Sequence, residues 1–152
     1  MVRIDFTVEV ERPAQEVFDY LSDVERLPEW QSSAIESHAE GLLAEGSRIV
    51  ERRRLMGRDL TTELEVTAYD PPRRLTLKAL GGPVRFTVDH ELAEENGSTA
   101  VRIVAEAEAG TFMKLAEPLL ARTAEQELRK DFARLKEILE AGGYPSEAAP
   151  VD

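Results

Sequence analysis

The chain has 152 residues, a length that suits one domain with a single core. Its formal net charge of -11 repels phosphate backbones and anionic lipid head groups, so we expect neither nucleic acid nor insertion into a membrane. The absence of cysteine excludes disulfides, thiolate zinc sites and a cysteine nucleophile. No signal peptide or bilayer-spanning apolar run is recognisable, which predicts a cytoplasmic protein.

The first twenty residues predict a strand followed by a helix. Residues 2–11, "VRIDFTVEVE", alternate apolar and polar side chains, as a half-buried strand does. Pro13 suits the first turn of a helix, and Val17, Phe18 and Leu21 then recur at helical spacing.

A second short helix and a series of strands are predicted next. Ser22 and Glu25 have the spacing of a capping box, and Pro28 prevents much continuation of the helix that they would begin. Six strand-like runs follow, separated by turn residues that favour antiparallel hairpins, near residues 31–39, 47–56, 59–69, 74–80, 83–93 and 98–109. A long helix is predicted over 111–141, and 142–152 has the composition of a flexible tail.

The turns also predict which side chains share a face. A two-residue turn at 57–58 would place Glu51 opposite Leu64 and Arg53 opposite Thr62. Because directly opposed residues point to the same side, Glu51 and Arg53 are expected on the apolar inner face. The same reasoning places further residues on that face: Leu60, Val66, Ala68, Leu75, Leu77, Ala79, Val84, Phe86, Val88, His90, Val101, Ile103, Ala105 and Ala107.

The long helix carries two apolar stripes. One contains Phe112, Leu115, Ala116, Leu119 and Thr123, and the other contains Leu128, Phe132, Leu135 and Leu139. A straight helix cannot direct both stripes at one flat surface. We therefore expect a bend near Pro118 or a curved sheet that surrounds the helix.

In combination, these segments resemble the START-like (SRPBCC) superfamily, which includes bacterial polyketide cyclase or dehydrase-like proteins. The resemblance covers roughly residues 2–141 and is carried by "VEVERPAQEVFDYLSDVERLPEWQ", "EGSRIVERRRLMGRDLTTELEVTAYDPPRRLTLKA", "LAEENGSTAVRI" and "LRKDFARLKEILE". It implies an α+β helix-grip fold, in which a seven-stranded curved antiparallel sheet surrounds a long C-terminal helix and two short helices follow the first strand. One ligand-binding domain is then expected over 1–141. None of these segments is a catalytic motif.

The resemblance also implies an apolar cavity between the sheet and the last helix, with Trp30 near its entrance above Phe18 and Leu21. Small residues such as Ala79, Ala105 and Ala107 would leave space there. The alternative is a solid core filled by Leu77, Phe86, Leu115 and Leu119. The predicted lining comprises Phe18, Leu21, Trp30, Ile49, Glu51, Arg53, Leu64, Val66, Leu77, Phe86, Val88, His90, Ile103, Ala105, Leu115, Leu119 and Thr123.

Three inward polar residues are candidates for chemistry. His90 could act as an acid, a base or a hydrogen-bond donor near neutral pH, or it could be a half-buried histidine satisfied by the backbone or water. Glu51 and Arg53 must pair or meet a polar ligand if they are buried. Otherwise they lie solvated at the rim, or a bulge turns them outward. His38 receives no role.

Three functions remain open at this point. The first is the binding of a small, largely hydrophobic molecule such as a lipid, polyketide or isoprenoid-like metabolite. The second is a cyclase or dehydratase-type enzyme with His90 as acid, Arg53 as oxyanion holder and Glu51 as base, although the inward polar set of such cyclases cannot be matched position by position. The third is a protein-interaction module. Two isolated histidines do not supply a metal site, no cofactor is expected, and the protein is predicted to be a monomer or a homodimer.

Overall fold

The computed structural model describes residues 2–55, 57–81, 84–109 and 117–142. Its elements are β1 (Val2–Val10), α1 (Ala14–Leu21), a 3-10 helix (Val24–Glu29), β2 (Ala34–Ala39), β3 (Arg48–Leu55), β4 (Arg58–Asp70), β5 (Arg74–Ala79), β6 (Val84–Glu95), β7 (Ser98–Ala109) and α2 (Glu117–Glu140). The strands form one seven-stranded antiparallel sheet in the order β1-β7-β6-β5-β4-β3-β2. The predicted helix-grip fold is confirmed. Within the described ranges, no helix has the length and apolar character needed to cross a membrane.

The C-terminal half of α2 packs on the inner face of the sheet. Phe132 lies at the centre of this contact, with ring centroids 6.0 Å from Phe6, 5.0 Å from Trp30 and 5.9 Å from His90. Leu135 and Leu139 continue the buried stripe and are fully shielded from solvent. This second apolar stripe of the predicted helix therefore forms the contact with the core.

The first apolar stripe does not contact the sheet in the described part of α2. Leu119 is 69% exposed and Thr123 is also exposed, which corrects their predicted inward position. At 100° per residue, Leu119 points about 160° around the helix axis from Leu135, so a helix that buries Leu135 turns Leu119 to solvent. Pro118 lies in the first turn of α2, and the predicted residues Phe112, Leu115 and Ala116 lie outside the described residues.

The register of the β3–β4 hairpin differs from the prediction by two residues. Leu55 pairs with Arg58, so Glu51 lies opposite Thr62 and Arg53 lies opposite Leu60. Gly57, which precedes Arg58, has a φ of 77° that favours glycine. Because the shift is even, the side-chain faces are unchanged, and Glu51 is buried as predicted.

Two further local predictions are wrong. A register shift lies between Val66 and Ala68, so Ala68 pairs with Thr76 on the outer face and Tyr69 takes the inward position opposite Leu75. Ser22 does not open a capping box, since its Oγ donates back to the carbonyl of Phe18 and thereby ends α1.

Candidate functional site

The inner face of the sheet is sealed at one side and partly open at the other. Over β3 and β4, Ile49, Leu64 and Val66 are at most 2% exposed. Over β5 and β6, Leu77, Phe86 and Val88 are only half-buried, although all three are apolar. In the N-terminal half of α2, no described residue between 119 and 127 is buried. An apolar, concave surface is therefore left partly uncovered beside the helix.

A recess of about 250 Å³ lies at this end of the sheet. Its lining consists of Lys78, Ala79, Arg85, Phe86, Thr87, Glu106, Ala107 and Glu108. Five of these eight residues alternate along their strands with the inward-facing ones and belong to the outer face: Lys78, Arg85, Thr87, Glu106 and Glu108. The recess therefore lies mainly on the outer face and does not confirm the cavity predicted between the sheet and the last helix.

Arg53 and Glu51 form an ion pair on the inner face. Arg53 Nε donates to Glu51 Oε1 over 2.9 Å, and the side chains are 23% and 4% exposed, respectively. Arg53 also donates to Ser33 Oγ over 2.8 Å and to Gln31 Oε1. The guanidinium group thus holds the segment between the 3-10 helix and β2 while it neutralises a buried carboxylate.

The same segment is bound to α2 by its middle residue. Asp131 Oδ1 accepts the Ser32 backbone N–H over 3.2 Å and the Ser32 hydroxyl over 3.4 Å. The Ser32 hydroxyl also lies 3.4 Å from Glu127 Oε2. Burial raises the pKa of Asp131 above its ordinary value, against the lowering effect of its bond to Ser32 and of the Arg53 charge. Gln31 and Ser33 thus bind Arg53 on β3, while Ser32 binds Asp131 on α2. Residues 31–33 therefore link β3 to α2.

Ser37 is a buried hydroxyl beside the ion pair. It lies directly opposite Glu51 in the β2–β3 register, so both side chains share the inner face. Ser37 is 7% exposed, and its Oγ has no hydrogen-bond partner among the residues that the structure describes. Buried polar groups without a partner are uncommon in folded proteins and call for an explanation.

His90 lies elsewhere on the inner face. Its Nδ1 donates to the Leu75 carbonyl oxygen over 2.9 Å, because a carbonyl can only accept, and its ring packs against Phe132. Burial lowers the pKa of His90 below its ordinary value, so the ring is neutral and Nε2 keeps its lone pair. The backbone thus provides a hydrogen-bond partner for one ring nitrogen of His90, as in the alternative of a histidine that is satisfied by the backbone or water.

The structure brings only part of the predicted polar set together. Glu51 and Arg53 are in contact, but His90 on β6 lies three strands away from β3, with no described contact to either. Phe18 packs against Tyr69 at 5.6 Å, whereas Trp30 is 2% exposed and packs against Phe132. Trp30 is therefore a core residue in this structure.

The sequence did not predict the polar residues that bind Arg53, nor the contact between Ser32 and Asp131 of α2. Asp131 is three residues after Leu128 and four before Leu135, so its place on the buried stripe could have been found from helical spacing. Nothing in the sequence around Gln31, Ser32 and Ser33 signals their bonds, because these depend on how an irregular segment meets two distant elements. Among the described residues, no group of three His, Asp or Glu side chains could hold a metal ion.

Comparison with known proteins identifies a family for this chain. Residues 1–140 match the family model described as polyketide cyclase / dehydrase and lipid transport. No curated protein matches the sequence.

Solved structures share the fold at low sequence identity. TTHA0849 from Thermus thermophilus is 16% identical with a TM-score of 0.80, over 93% of this chain and 99% of that one. A START superfamily protein from Mycobacterium smegmatis is 16% identical with a TM-score of 0.71, over 91% and 99%. The di-domain ARO/CYC BexL from the BE-7585A biosynthetic pathway is 17% identical with a TM-score of 0.77, over 95% of this chain and 48% of BexL. The chain thus spans about half the length of BexL.

Proposed function

Because the chain belongs to the polyketide cyclase / dehydrase and lipid transport family, we propose that it binds a small, largely hydrophobic molecule between the inner face of the sheet and α2. A lipid, a polyketide and an isoprenoid-like metabolite all have this character. The family supplies the general expectation. The exposure of apolar residues on the inner face supports the proposal.

One observation carries the proposal. Leu77, Phe86 and Val88 project from the inner face and yet remain half-buried, and no described side chain between residues 119 and 127 of α2 is buried. Exposed apolar surface of this kind costs free energy in water, and an apolar ligand would remove it from contact with water. Partly open apolar surfaces with a few polar groups at one side are typical of small-molecule sites.

A dye-displacement experiment tests the proposal. An environment-sensitive apolar dye should bind the purified protein, and long-chain alcohols, isoprenoid alcohols or polyketide-like phenols should displace it and raise the melting temperature. Val88→Lys should abolish dye binding, because the lysine enters the proposed site. The matched variant Thr87→Lys, on the outer face, should bind the dye normally. If no member of the panel binds or shifts the melting temperature, the proposal is wrong.

A cyclase or dehydratase-type reaction is the second candidate. The Arg53–Glu51 pair favours such a reaction, because a guanidinium group that remains partly exposed could stabilise an oxyanion on a bound ligand. The fold likeness to BexL points the same way. With a substrate in hand, unchanged turnover in Arg53→Ala would remove Arg53 from any mechanism. His90 is too far from this pair to share one proton-transfer step with it.

Other expectations from the sequence stay predictions. They are a cytoplasmic location, a monomeric or homodimeric state, and the absence of nucleic acid among the partners. Size-exclusion chromatography with light scattering would measure the oligomeric state directly. The prediction that residues 1–141 form a single ligand-binding domain is part of the proposed function.

A further inference from the structure

We propose that the bound apolar molecule carries a neutral hydroxyl group, as an alcohol or a phenol does, and that this hydroxyl donates a hydrogen bond to Nε2 of His90. The inference rests on the proposed function, because it assigns the polar contact of the same ligand. His90 is then the residue that selects for a hydroxyl, while the apolar surface beside it binds the rest of the molecule.

His90 lies at the inner end of the partly open apolar surface. Phe86, Val88 and His90 follow one another on the inner face of β6. Phe86 and Val88 are half-buried, as is Leu77 opposite Val88, whereas His90 is 5% exposed. Residues two apart on a strand are separated by about 6.5 Å, so a group bound on Val88 is next to the His90 ring. A molecule that covers Phe86 and Val88 would therefore bring one end to His90.

The backbone determines which nitrogen of His90 is available to a ligand. Nδ1 lies 2.9 Å from the Leu75 carbonyl oxygen and must carry a proton in order to donate to it. In a neutral imidazole the other nitrogen, Nε2, then has a lone pair and can only accept. Burial lowers the pKa of His90 below its ordinary value, which favours this neutral form. The group that meets Nε2 must therefore be a hydrogen-bond donor.

Nε2 of His90 is an unpaired acceptor that the described residues do not fully enclose. No hydrogen bond reaches it from the part of the chain that the structure describes. The described side-chain atoms that are closed to solvent and have no partner are Trp30 Nε1 and Ser37 Oγ, and Nε2 is not one of them. A free acceptor at the end of an apolar surface is typical of the few polar groups that orient a ligand in small-molecule sites.

A neutral hydroxyl suits this place better than an ether, a ketone or an anion. Ether and carbonyl oxygens can only accept, so they cannot bond to the lone pair of Nε2. Among the described residues, no hydrogen bond or ion pair joins His90 to an arginine or a lysine. An ionised carboxylate would therefore lose its hydration without gaining an opposite charge, which is costly.

Two probes that differ only in the donor test the contact: para-butylphenol and para-butylanisole, in which a methyl group replaces the hydroxyl hydrogen. Both are neutral at pH 7.5, because phenols ionise at about pH 10. Dye competition on the full chain gives their affinities. We expect the phenol to bind about fivefold more tightly, the difference that one hydrogen bond supplies.

His90→Asn should remove this preference for the phenol. The asparagine amide can still donate to the Leu75 carbonyl oxygen, but its shorter side chain has no acceptor at the position of Nε2. Both probes should therefore bind this variant with similar affinity. His38→Asn, the same change at the exposed histidine, is the matched control and should keep the preference of the native chain.

Nitrogen NMR of the histidine rings gives a readout that needs no change at His90. The chain has two histidines, so the spectrum of His38→Asn assigns the remaining ring to His90. Para-butylphenol should move the Nε2 resonance of His90 upfield, because the lone pair accepts a bond, and para-butylanisole should leave it nearly in place. Melting curves show whether His90→Asn is folded, and the NMR measurement tests the contact even where it is not.

The outcomes separate this inference from the proposed function. If both probes bind the native chain equally, or if the phenol leaves the Nε2 resonance in place, the hydroxyl contact is wrong while apolar binding stands. A preference for the phenol that persists in His90→Asn would also overturn it, because another residue would then bind the hydroxyl. If neither probe binds, the proposed function fails and this inference fails with it.

Discussion

Arg53 Nε donates a hydrogen bond of 2.9 Å to Oε1 of Glu51, a residue that is 3% exposed. Two charges on the apolar face of a sheet are stable there only as a pair, because a buried charge without a partner is strongly unfavourable. The pair also contacts the segment that joins the 3-10 helix to β2. The stability of the inner face should therefore depend on the two residues together.

Replacing Arg53 alone should be severely destabilising. Arg53→Leu leaves the Glu51 carboxylate buried and unpaired, which typically costs about 3–5 kcal/mol. The double variant Glu51→Met with Arg53→Leu removes both charges and should recover most of that loss. Urea denaturation of the three proteins gives the free energies of unfolding.

The surface pair Arg54–Asp59 is the matched control. Its bond of 2.8 Å is as short as that of the buried pair, but the Arg54 side chain is 65% exposed. Arg54→Leu should change the free energy of unfolding far less than Arg53→Leu, because exposed ion pairs contribute little to stability. A similar loss in Arg53→Leu and Arg54→Leu would contradict the assignment of Arg53 to the interior.

Phe132 should contribute more to stability than Leu119, a described residue of the first apolar stripe. Its ring contacts three other rings, from β1, β6 and the end of the 3-10 helix, and is 1% exposed. Phe132→Ala should cost about 3–5 kcal/mol, because it leaves a cavity among these rings. Leu119→Ala should change the free energy of unfolding by about 0.5 kcal/mol or less. The same denaturation measurement compares the two variants.

An enlarged side chain at Ala105 distinguishes open space from a solid core. Ala105 lies between Ile4 and Val88 on the inner face, beside the half-buried Leu77 row. If the space above it is open, Ala105→Phe should fold with nearly normal stability and lose dye binding. A filled core would be overpacked, at a cost of about 1–3 kcal/mol. Val104→Phe, on the outer face, should affect neither property.

The sequence predicted the faces of the strands better than their pairing. Glu51 is buried as expected although the β3–β4 register is displaced, because an even displacement preserves the alternation of side chains. The irregularity between Val66 and Ala68 could not be predicted in the same way. No Gly or Pro marks it, and it depends on how β5 meets β4.

The candidate site was only partly predictable for a similar reason. Glu51 and Arg53 are two residues apart on one strand, so their proximity follows from local geometry alone. The bonds of Arg53 to Gln31 and Ser33, and of Ser32 to Asp131, join residues between 20 and 99 positions apart in the chain. Such contacts are set by the packing of whole elements, which one sequence does not reveal.

Asp131→Asn should stabilise the protein at neutral pH. Burial raises the pKa of Asp131, so its ionisation opposes folding, and stability decreases as the pH rises from the ordinary value of 3.8 through the raised one. Each unit of such a difference corresponds to about 1.4 kcal/mol. The asparagine keeps an oxygen to accept the Ser32 N–H. The advantage of Asp131→Asn over the native chain should therefore grow between pH 4 and pH 7.5.

The two histidines of the chain should affect stability with opposite dependence on pH. Burial lowers the pKa of His90, so the unfolded chain takes up a proton more readily, and stability should be lost as the pH falls below about 6.5. His38 is exposed, and its hydrogen bonds with Glu40 and Glu25 raise its pKa. Its small contribution to stability is therefore present below about pH 6.5 and is lost as the pH rises through the raised pKa. Denaturation of His90→Gln and His38→Gln between pH 5 and pH 8 measures both effects. The decrease in stability toward acid pH should be smaller in His90→Gln than in the native chain, and it should persist in His38→Gln. An unchanged decrease in His90→Gln would show that His90 is not held neutral in the core.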